Sequence, residues 1–356
     1  MNEKNDDLAS LEGFVCPLPL RNYPQIVLGH GSGGRMSADL IENLFLPLFD
    51  NPALAAQEDQ AVLEVGGVRL AFATDSFVVN PLFFPGGDIG SLAVHGTIND
   101  LAVGGARPLY LSASFLLEEG LDMNALGAAA TSMANAARAA GVQVVTGDTK
   151  VVEKGHGDGL YINTAGIGLI PPGVALGAAH IRPGDAVLVS GTLGDHGIAV
   201  MSKREGLTFE TEIVSDSAAL HGLIADLLEA APSTHAMRDL TRGGLAASLN
   251  ELAKRAEVGI ELVERSIPVR AAVAAACEML GFDPLYVANE GKIAAFVPDQ
   301  EAEPALEAMR AHPLGRDAAR IGQVVEGHPG IVSARTPIGG SRIIDMPLGV
   351  LLPRIC

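Results

Sequence analysis

Val68-Arg69-Leu70-Ala71-Phe72-Ala73 carries the two-residue alternation of a half-buried strand and runs into Thr74-Asp75-Ser76, which puts Asp75 at a strand end. Over residues 122–141 the apolar positions Met123, Leu126, Ala130, Met133 and Ala137 recur at helical spacing. Asp122 suits the N-cap and Gly141 the stop, so the pattern predicts a helix of about five turns. Val142 to Val145 follows as a strand and delivers Asp148 and Lys150 at its C-terminal edge. Between these elements, Ile89 to Val103 predicts a helix ended by Gly104-Gly105, with Asn99 and Asp100 in its last turn.

A second half opens at the turn Ile181-Arg182-Pro183-Gly184-Asp185, continues as the apolar strand Ala186 to Val189, and enters the loop Gly191 to Gly197. Arg238-Asp239-Leu240-Thr241-Arg242-Gly243-Gly244 precedes a helical pattern of Leu245, Leu249, Leu252 and Ala256, so Asp239 and the glycines sit at a helix N-terminus. Glu290 occupies a tight loop before the strand Ile293 to Val297. The class is therefore α/β (α+β), in two halves. The expected division is a poorly ordered leader at 1–25, an N-terminal domain at 26–180, a C-terminal α/β domain at 181–340, and a mobile tail at 341–356.

At 356 residues, a chain of this length suits about two domains, and the scarcity of aromatics, 4%, calls for a core of small aliphatic side chains. The net charge of -18 without a Lys or Arg block excludes a phosphate-backbone footprint, so neither nucleic acid nor an anionic membrane is an expected partner. A small polyanion is still compatible where carboxylates hold divalent metal ions. Cys16, Cys277 and Cys356 form neither a CxxC nor a Cys/His cluster, which argues against a disulfide framework or zinc site and for the cytoplasm. Cys277 lies in the apolar helix Ala271 to Leu280 as a small hydrophobe, and Cys16 has no assigned role.

Cys356 ends the chain, so sulfur and terminal carboxylate share one residue. A thiol at a terminus is expected to be exposed, a mobile nucleophile or carrier. Fully extended, the residues after Ile344 span roughly 40 Å at about 3.3 Å each. The terminal carboxylate disfavours the thiolate and Arg354 favours it. His30-Gly31-Ser32-Gly33-Gly34 offers unshielded backbone N–H groups to phosphates, although it is neither the Walker A pattern nor the dinucleotide fingerprint. Asp59, Asp75, Asp100, Asp148 and Asp239 are dispersed carboxylates beside element ends, the arrangement magnesium and a nucleotide share between them. Lys150 and Glu290 are the titratable candidates for proton transfer.

These motifs, His30 to Gly34, Glu58-Asp59-Gln60-Ala61, Thr74-Asp75-Ser76, Asn99-Asp100, Gly147-Asp148-Thr149-Lys150, Arg238 to Gly244, Asn289-Glu290-Gly291 and the terminal Pro353-Arg354-Ile355-Cys356, together resemble the HypE family of hydrogenase maturation factors. That family belongs to the aminoimidazole ribonucleotide synthetase-like superfamily, and the terminal cysteine motif is the discriminating part. The resemblance implies that fold in two domains, ATP and Mg2+ as cofactors, and a homodimer joined through the N-terminal domains. It implies that the carbamoyltransferase HypF loads a carbamoyl group onto Cys356. ATP then drives dehydration of the thiocarboxamide to a thiocyanate, and cyanide passes to iron on a HypC–HypD complex for [NiFe] hydrogenase. In this reading Asp59, Asp75, Asp100, Asp148 and Asp239 hold magnesium, while Gly33, Gly34, Asn99, Arg242, Gly243 and Gly244 bind ATP. Lys150 or Glu290 serves as base, and Pro353, Arg354 and Ile355 deliver Cys356. The alternatives are a small-molecule kinase or synthetase of the same superfamily, and a non-catalytic docking protein whose tail is a ligand.

Overall fold

The computed structural model describes residues 23, 25–209, 211–349, 352 and 354–356. The leader up to residue 22, with Cys16, and Pro353 of the tail lie outside the described residues.

The first half is built on five strands, β1 (Ala61–Val65), β2 (Val68–Phe77), β3 (Arg107–Glu118), β4 (Gln143–Val152) and β5 (Leu160–Leu169), in the order β1-β2-β5-β3-β4. All neighbours are antiparallel except β3 and β4. Helix α1 (Ile89–Val103) starts at Asp88, whose side chain accepts from the Gly90 and Ser91 N–H groups while Ser91 returns a bond. It stops at Gly104-Gly105, where Gly105 has φ +76. Helix α2 (Met123–Ala139) is capped by Asp122, as its sequence predicts. Both helices cover one face of the sheet, with Leu92, Ala129, Met133, Leu111 and Ile162 in a common core. The opposite face is bare and apolar: Leu63, Phe72, Tyr110, Leu116 and Ile167 are each at least 40% exposed.

Two strands are longer than their hydrophobic pattern. β2 continues to Phe77 and β4 to Val152, so Asp75 and Asp148 lie within strands rather than at their ends. Their polar side chains are tolerated because the continuing ladder satisfies the backbone, whatever faces the side chain. Pleating then decides which way each points. Asp75 pairs with Thr164, which is fully buried toward α1, whereas Asp148 and Lys150 pair with Ser114 and Leu116 on the bare face.

The second half is a seven-stranded mixed sheet of β6 (Ala186–Val189), β7 (Ala236–Asp239), β8 (Gly259–Val263), β9 (Ile293–Val297), β10 (Ala319–Val325), β11 (Val332–Arg335) and β12 (Ser341–Ile343), ordered β12-β11-β8-β10-β6-β9-β7. Helix α5 (Gly244–Ala256) packs on one face, and α4 (His221–Ala230) with α7 (Ala302–Ala311) on the other. Burial on both sides is why β6 and β9 read as unbroken apolar runs. Helices α3 (Asp195–Glu205) and α6 (Ala271–Leu280) form a satellite cluster in which Cys277 is buried and free. Among the described residues no helix is long and apolar enough to cross a membrane.

Helix α1 is buried nearly all round because it sits between the halves, with Ala102 and Val103 in the core of the second sheet. The C-terminal stretch is not a free tail in this structure. β12 pairs with β11, the Pro347 carbonyl accepts from the Arg35 N–H at 2.8 Å, and Ile355 and Cys356 are buried in the core of the first half.

Candidate active site

Asp59 precedes β1, Asp100 lies in the last turn of α1 and Asp239 ends β7. Folding brings one oxygen of each within 4.8 Å of the others. Little positive charge accompanies them: Arg238 Nη1 donates to Asp59 at 2.5 Å and its Nη2 lies 3.6 Å from Glu58. Burial, opposed by Arg238 and reinforced by Glu58 and Glu251, raises Asp59 to about 6. Asp100 and Asp239 are pushed well above the carboxylate range by burial first; the charges of Asp239, Asp59 and Asp75 then raise Asp100, and those of Asp59 and Asp75 raise Asp239. Three close carboxylates that resist ionising, Asp239 buried and Asp59 and Asp100 half-buried, are an oxygen donor set suited to a hard divalent cation such as Mg2+. Asp75 adjoins them, 3.9 Å from Arg242 Nη2, and is itself raised by burial.

Beside this cluster opens a cavity of about 910 Å³, bordered by Gly33, Asp59, Asp239, Arg242, Glu251 and Lys254. Its size suits a nucleotide-sized ligand. A smaller cavity of about 180 Å³, lined by Ser76, Arg242, Gly243, Leu352 and Cys356, shares Gly31 and Arg242 with the larger one. Arg242 thus borders both spaces, held by a 2.7 Å bond from Nη1 to the Gly31 carbonyl.

The expected site residues divide. Gly33 and Gly243 both have positive φ and pack the two glycine loops together: a Cβ on Gly33 would lie 2.8 Å from the Arg242 carbonyl oxygen. Gly34 and Gly244 touch protein backbone instead of the cavity. A Cβ on Gly34 would meet the Pro347 oxygen at 2.4 Å, and one on Gly244 the Leu285 and Val287 oxygens at 2.7 Å. Asn99, expected at the nucleotide, bridges the halves: its amide donates to the Ala218 carbonyl at 3.0 Å and accepts from the Leu220 N–H at 2.8 Å. Asp148 and Lys150 are not brought into the cluster. They pair with each other at 2.5 Å, exposed on the opposite face of the sheet from Asp75.

Glu290 is 2% exposed, and its Oε1 has no hydrogen-bond partner among the described residues. Burial first, then the charges of Asp239, Asp75 and Asp216, raise it well above the ordinary carboxylate. Its loop is held by Asp216, which accepts from the Glu290 N–H at 3.1 Å and the Gly291 N–H at 3.3 Å, and pairs with Lys292 at 2.9 Å.

The terminal residues are seated against β2. Val78 N–H donates to a Cys356 carboxyl oxygen at 3.0 Å, Asn80 N–H to the Arg354 carbonyl at 3.2 Å, and His196 Nε2 meets the Ile355 carbonyl at 2.8 Å. Cys356 is 9% exposed. Burial pushes it well above its usual range and Glu290, Asp75 and Asp239 add to this, while Arg242 opposes. Docked, Cys356 is therefore a neutral thiol rather than a nucleophile. Arg354, expected to offset the charge at Cys356, turns away: it donates to the Val78 carbonyl at 3.0 Å, pairs with Asp158, and lies 6.0 Å from the Tyr161 ring centroid. Arg242 takes that place. His196, Arg204 and Asp216 were outside the expected set, because single residues in unremarkable contexts carry no spacing signal.

Residues 57–170 match the AIR synthase related protein N-terminal domain family and residues 182–334 its C-terminal domain family. The carbamoyl dehydratase HypE of Cupriavidus necator is 55% identical over 97% of this chain and 98% of its own length. The chain belongs to the HypE family. The Escherichia coli K12 carbamoyl dehydratase HypE is 52% identical, covering 93% of this chain and 99% of that one. A crystal structure of the hydrogenase maturation protein HypE in complex with ATP superposes with TM-score 0.79 at 49% identity, over 93% of this chain and 100% of that one. HypE from a HypE–HypF complex superposes with TM-score 0.83 at 49% identity, over 86% of this chain and 99% of that one. A thiamine monophosphate kinase with AMPPCP and TMP bound, at 20% identity and TM-score 0.67, shares the fold.

Proposed function

We propose that this HypE-family chain dehydrates a carbamoyl group carried on its own Cys356, using ATP, and so supplies the cyanide ligand of the [NiFe] hydrogenase iron. The single observation that carries this reading is the placement of the terminal thiol. Cys356 is buried in a cavity that shares Arg242 with the nucleotide-sized one, within reach of the charges of Glu290, Asp75 and Asp239, the last a member of the carboxylate cluster.

Dehydration of a thiocarboxamide needs its oxygen to become a leaving group. The carboxamide oxygen attacks the γ-phosphorus, ADP departs, and C–O cleavage with loss of both N–H protons leaves S–C≡N, ADP and phosphate. Asp59, Asp100 and Asp239, with Asp75 adjoining, would hold magnesium, which supplies charge neutralisation to the phosphoryl groups. Arg242 borders both cavities and offers its guanidinium where negative charge moves between nucleotide and carboxamide. The departing phosphate takes one amide proton and Glu290 accepts the other. Its carboxyl is held neutral partly by Asp239 and Asp75, so a cation on those groups lets it ionise. Burial of the tail keeps water from the activated carboxamide.

The bare sheet face is proposed as the homodimer interface, since a contiguous apolar face of this kind needs a cover. Lys150 and Asp148 ride on that face, and the same proposal has them serve the site of the neighbouring copy rather than their own. HypF is the proposed carbamoyl donor to the undocked tail and a HypC–HypD complex the cyanide acceptor, in the cytoplasm. A small-molecule kinase activity is disfavoured because the chain's own buried thiol lines the smaller cavity beside Arg242.

With HypF and carbamoyl phosphate present, ATP use by this protein should match the carbamoyl groups loaded on it, and Cys356→Ala should abolish that use. Unchanged ATP use by the Ala variant would refute the reading.

A further inference from the structure

His196 is a wholly buried histidine that the proposed chemistry does not use. Its neighbours fix its tautomer. The Ile355 carbonyl, 2.8 Å from Nε2, can only accept, so Nε2 carries the proton. Nδ1 is then the acceptor, and the Ser215 hydroxyl, 2.8 Å away, donates to it. Ser215 Oγ in turn accepts from the Ser217 N–H at 3.0 Å. Every polar atom along this line is satisfied only while Ile355 is in place. The ring is further pinned by the Phe84 ring, edge-on at 5.3 Å. Burial lowers the imidazole pKa and keeps it neutral, against the charge of Asp216 and the bond to Ile355.

The position of this bond is what gives it leverage. It grips the carbonyl one residue before Cys356, at the buried end of the tail, whereas Arg204 grips the Arg354 carbonyl farther out at 2.7 Å. The same short segment also sets the proton acceptor: Asp216, next to Ser215, fixes the backbone of Glu290 and Gly291. On the other side, the Gly197 N–H, next to His196, donates to the Ala288 carbonyl at 3.0 Å. One rigid unit therefore registers the tail against the loop that carries Glu290.

We propose that His196, oriented by Ser215, is the latch of the docked tail: a positioning residue that holds the Ile355 carbonyl so that the group on Cys356 is presented to Glu290. The bond exists only in the docked state. It therefore sets how long the tail stays seated, and leaves the encounter with the carbamoyl donor untouched. The role in turnover rests on the dehydratase reading above, but the docking role does not.

The test compares wild type with His196→Phe, which keeps the ring against Phe84 without a donor, His196→Gln, which retains a donor and an acceptor, and Ser215→Ala. Alkylation of Cys356 by iodoacetamide, read by mass on the C-terminal peptide, reports docking without any reaction. His196→Phe should speed alkylation roughly tenfold or more, the order expected for losing a buried hydrogen bond to a carbonyl. Ser215→Ala should speed it less, and His196→Gln should restore protection. On carbamoylated protein, the Phe variant should slow dehydration while its loading by the carbamoyltransferase stays at the wild-type rate. A Phe variant as protected as wild type, or Phe and Gln variants equally exposed, would overturn the latch. If the Phe variant does not fold, Ser215→Ala decides by the same alkylation readout, and wild-type protection in it overturns the latch. Absence of dehydration in wild type itself would instead count against the dehydratase reading, with the alkylation result still standing.

Discussion

Withdrawing divalent cations should make this protein lose stability as the pH rises. Asp59 titrates at about 6 in the folded chain against an ordinary 3.8, with burial as the chief cause. The folded state keeps a proton that the unfolded chain releases, so the associated stability is full below pH 3.8 and is lost as the pH climbs through about 6. A lift of that size is worth ~3 kcal/mol, and Asp100 and Asp239, raised in the same direction, add to it. At a urea dependence of about 2–3 kcal/mol per molar, this is a midpoint shift of roughly 1 M or more. Urea melts in chelator at about pH 4 and about pH 8 would measure it, and saturating Mg2+ at the higher pH should recover the loss, because a bound cation favours the ionised carboxylates. Asp239→Asn should flatten both the pH slope and the Mg2+ response. A midpoint in chelator that does not fall with pH, together with no response to Mg2+, would refute the cation-site reasoning.

Three further outcomes follow from the geometry. Ile355→Ala removes most of a side chain that is 2% exposed and joins the first half's core only through the seated tail, so the cost of about 2–4 kcal/mol falls on docking. Alkylation of Cys356 should quicken by at least roughly tenfold with little change in the unfolding midpoint. Glu290→Gln should slow single-turnover nitrile formation by about 10²–10⁴, with nucleotide affinity and carbamoyl loading retained. Lys150→Ala and Glu290→Gln chains, each impaired alone, should regain activity when mixed into one dimer, since one of its two sites then holds both residues. No recovery would place Lys150 outside the neighbouring copy's site.

Local features of the sequence carried the elements well. Helix α1 begins and ends where its apolar run and Gly104-Gly105 say, and Asp122 caps α2 as read, because caps and stops are decided within a few residues. The lengths of β2 and β4 were not legible. Their continuation through Asp75 and Asp148 depends on ladder partners far along the chain, and once they continue, the pleat sends Asp75 to the site and Asp148 to the bare face. Asp59, Asp100 and Asp239 were readable as carboxylates beside turns and helix ends, and their convergence follows from packing α1 between the halves. The contacts that seat the tail were the least legible part. They join Arg354 to Val78 and Ile355 to His196, and nothing in Gly- and Pro-rich chain announces such distant partners. Once seated, the chemistry of Cys356 reverses: burial makes it a neutral thiol that carries a group rather than one that attacks.

The central claim is that Cys356 bears the group being dehydrated. Its most direct test is the mass of the intact C-terminal peptide after incubation with HypF and carbamoyl phosphate, before and after ATP and Mg2+ are added. The account predicts a carbamoyl adduct on Cys356 that becomes lighter by one water only when ATP is present. An adduct that persists unchanged with ATP, or one found on Cys277 in place of Cys356, would contradict it.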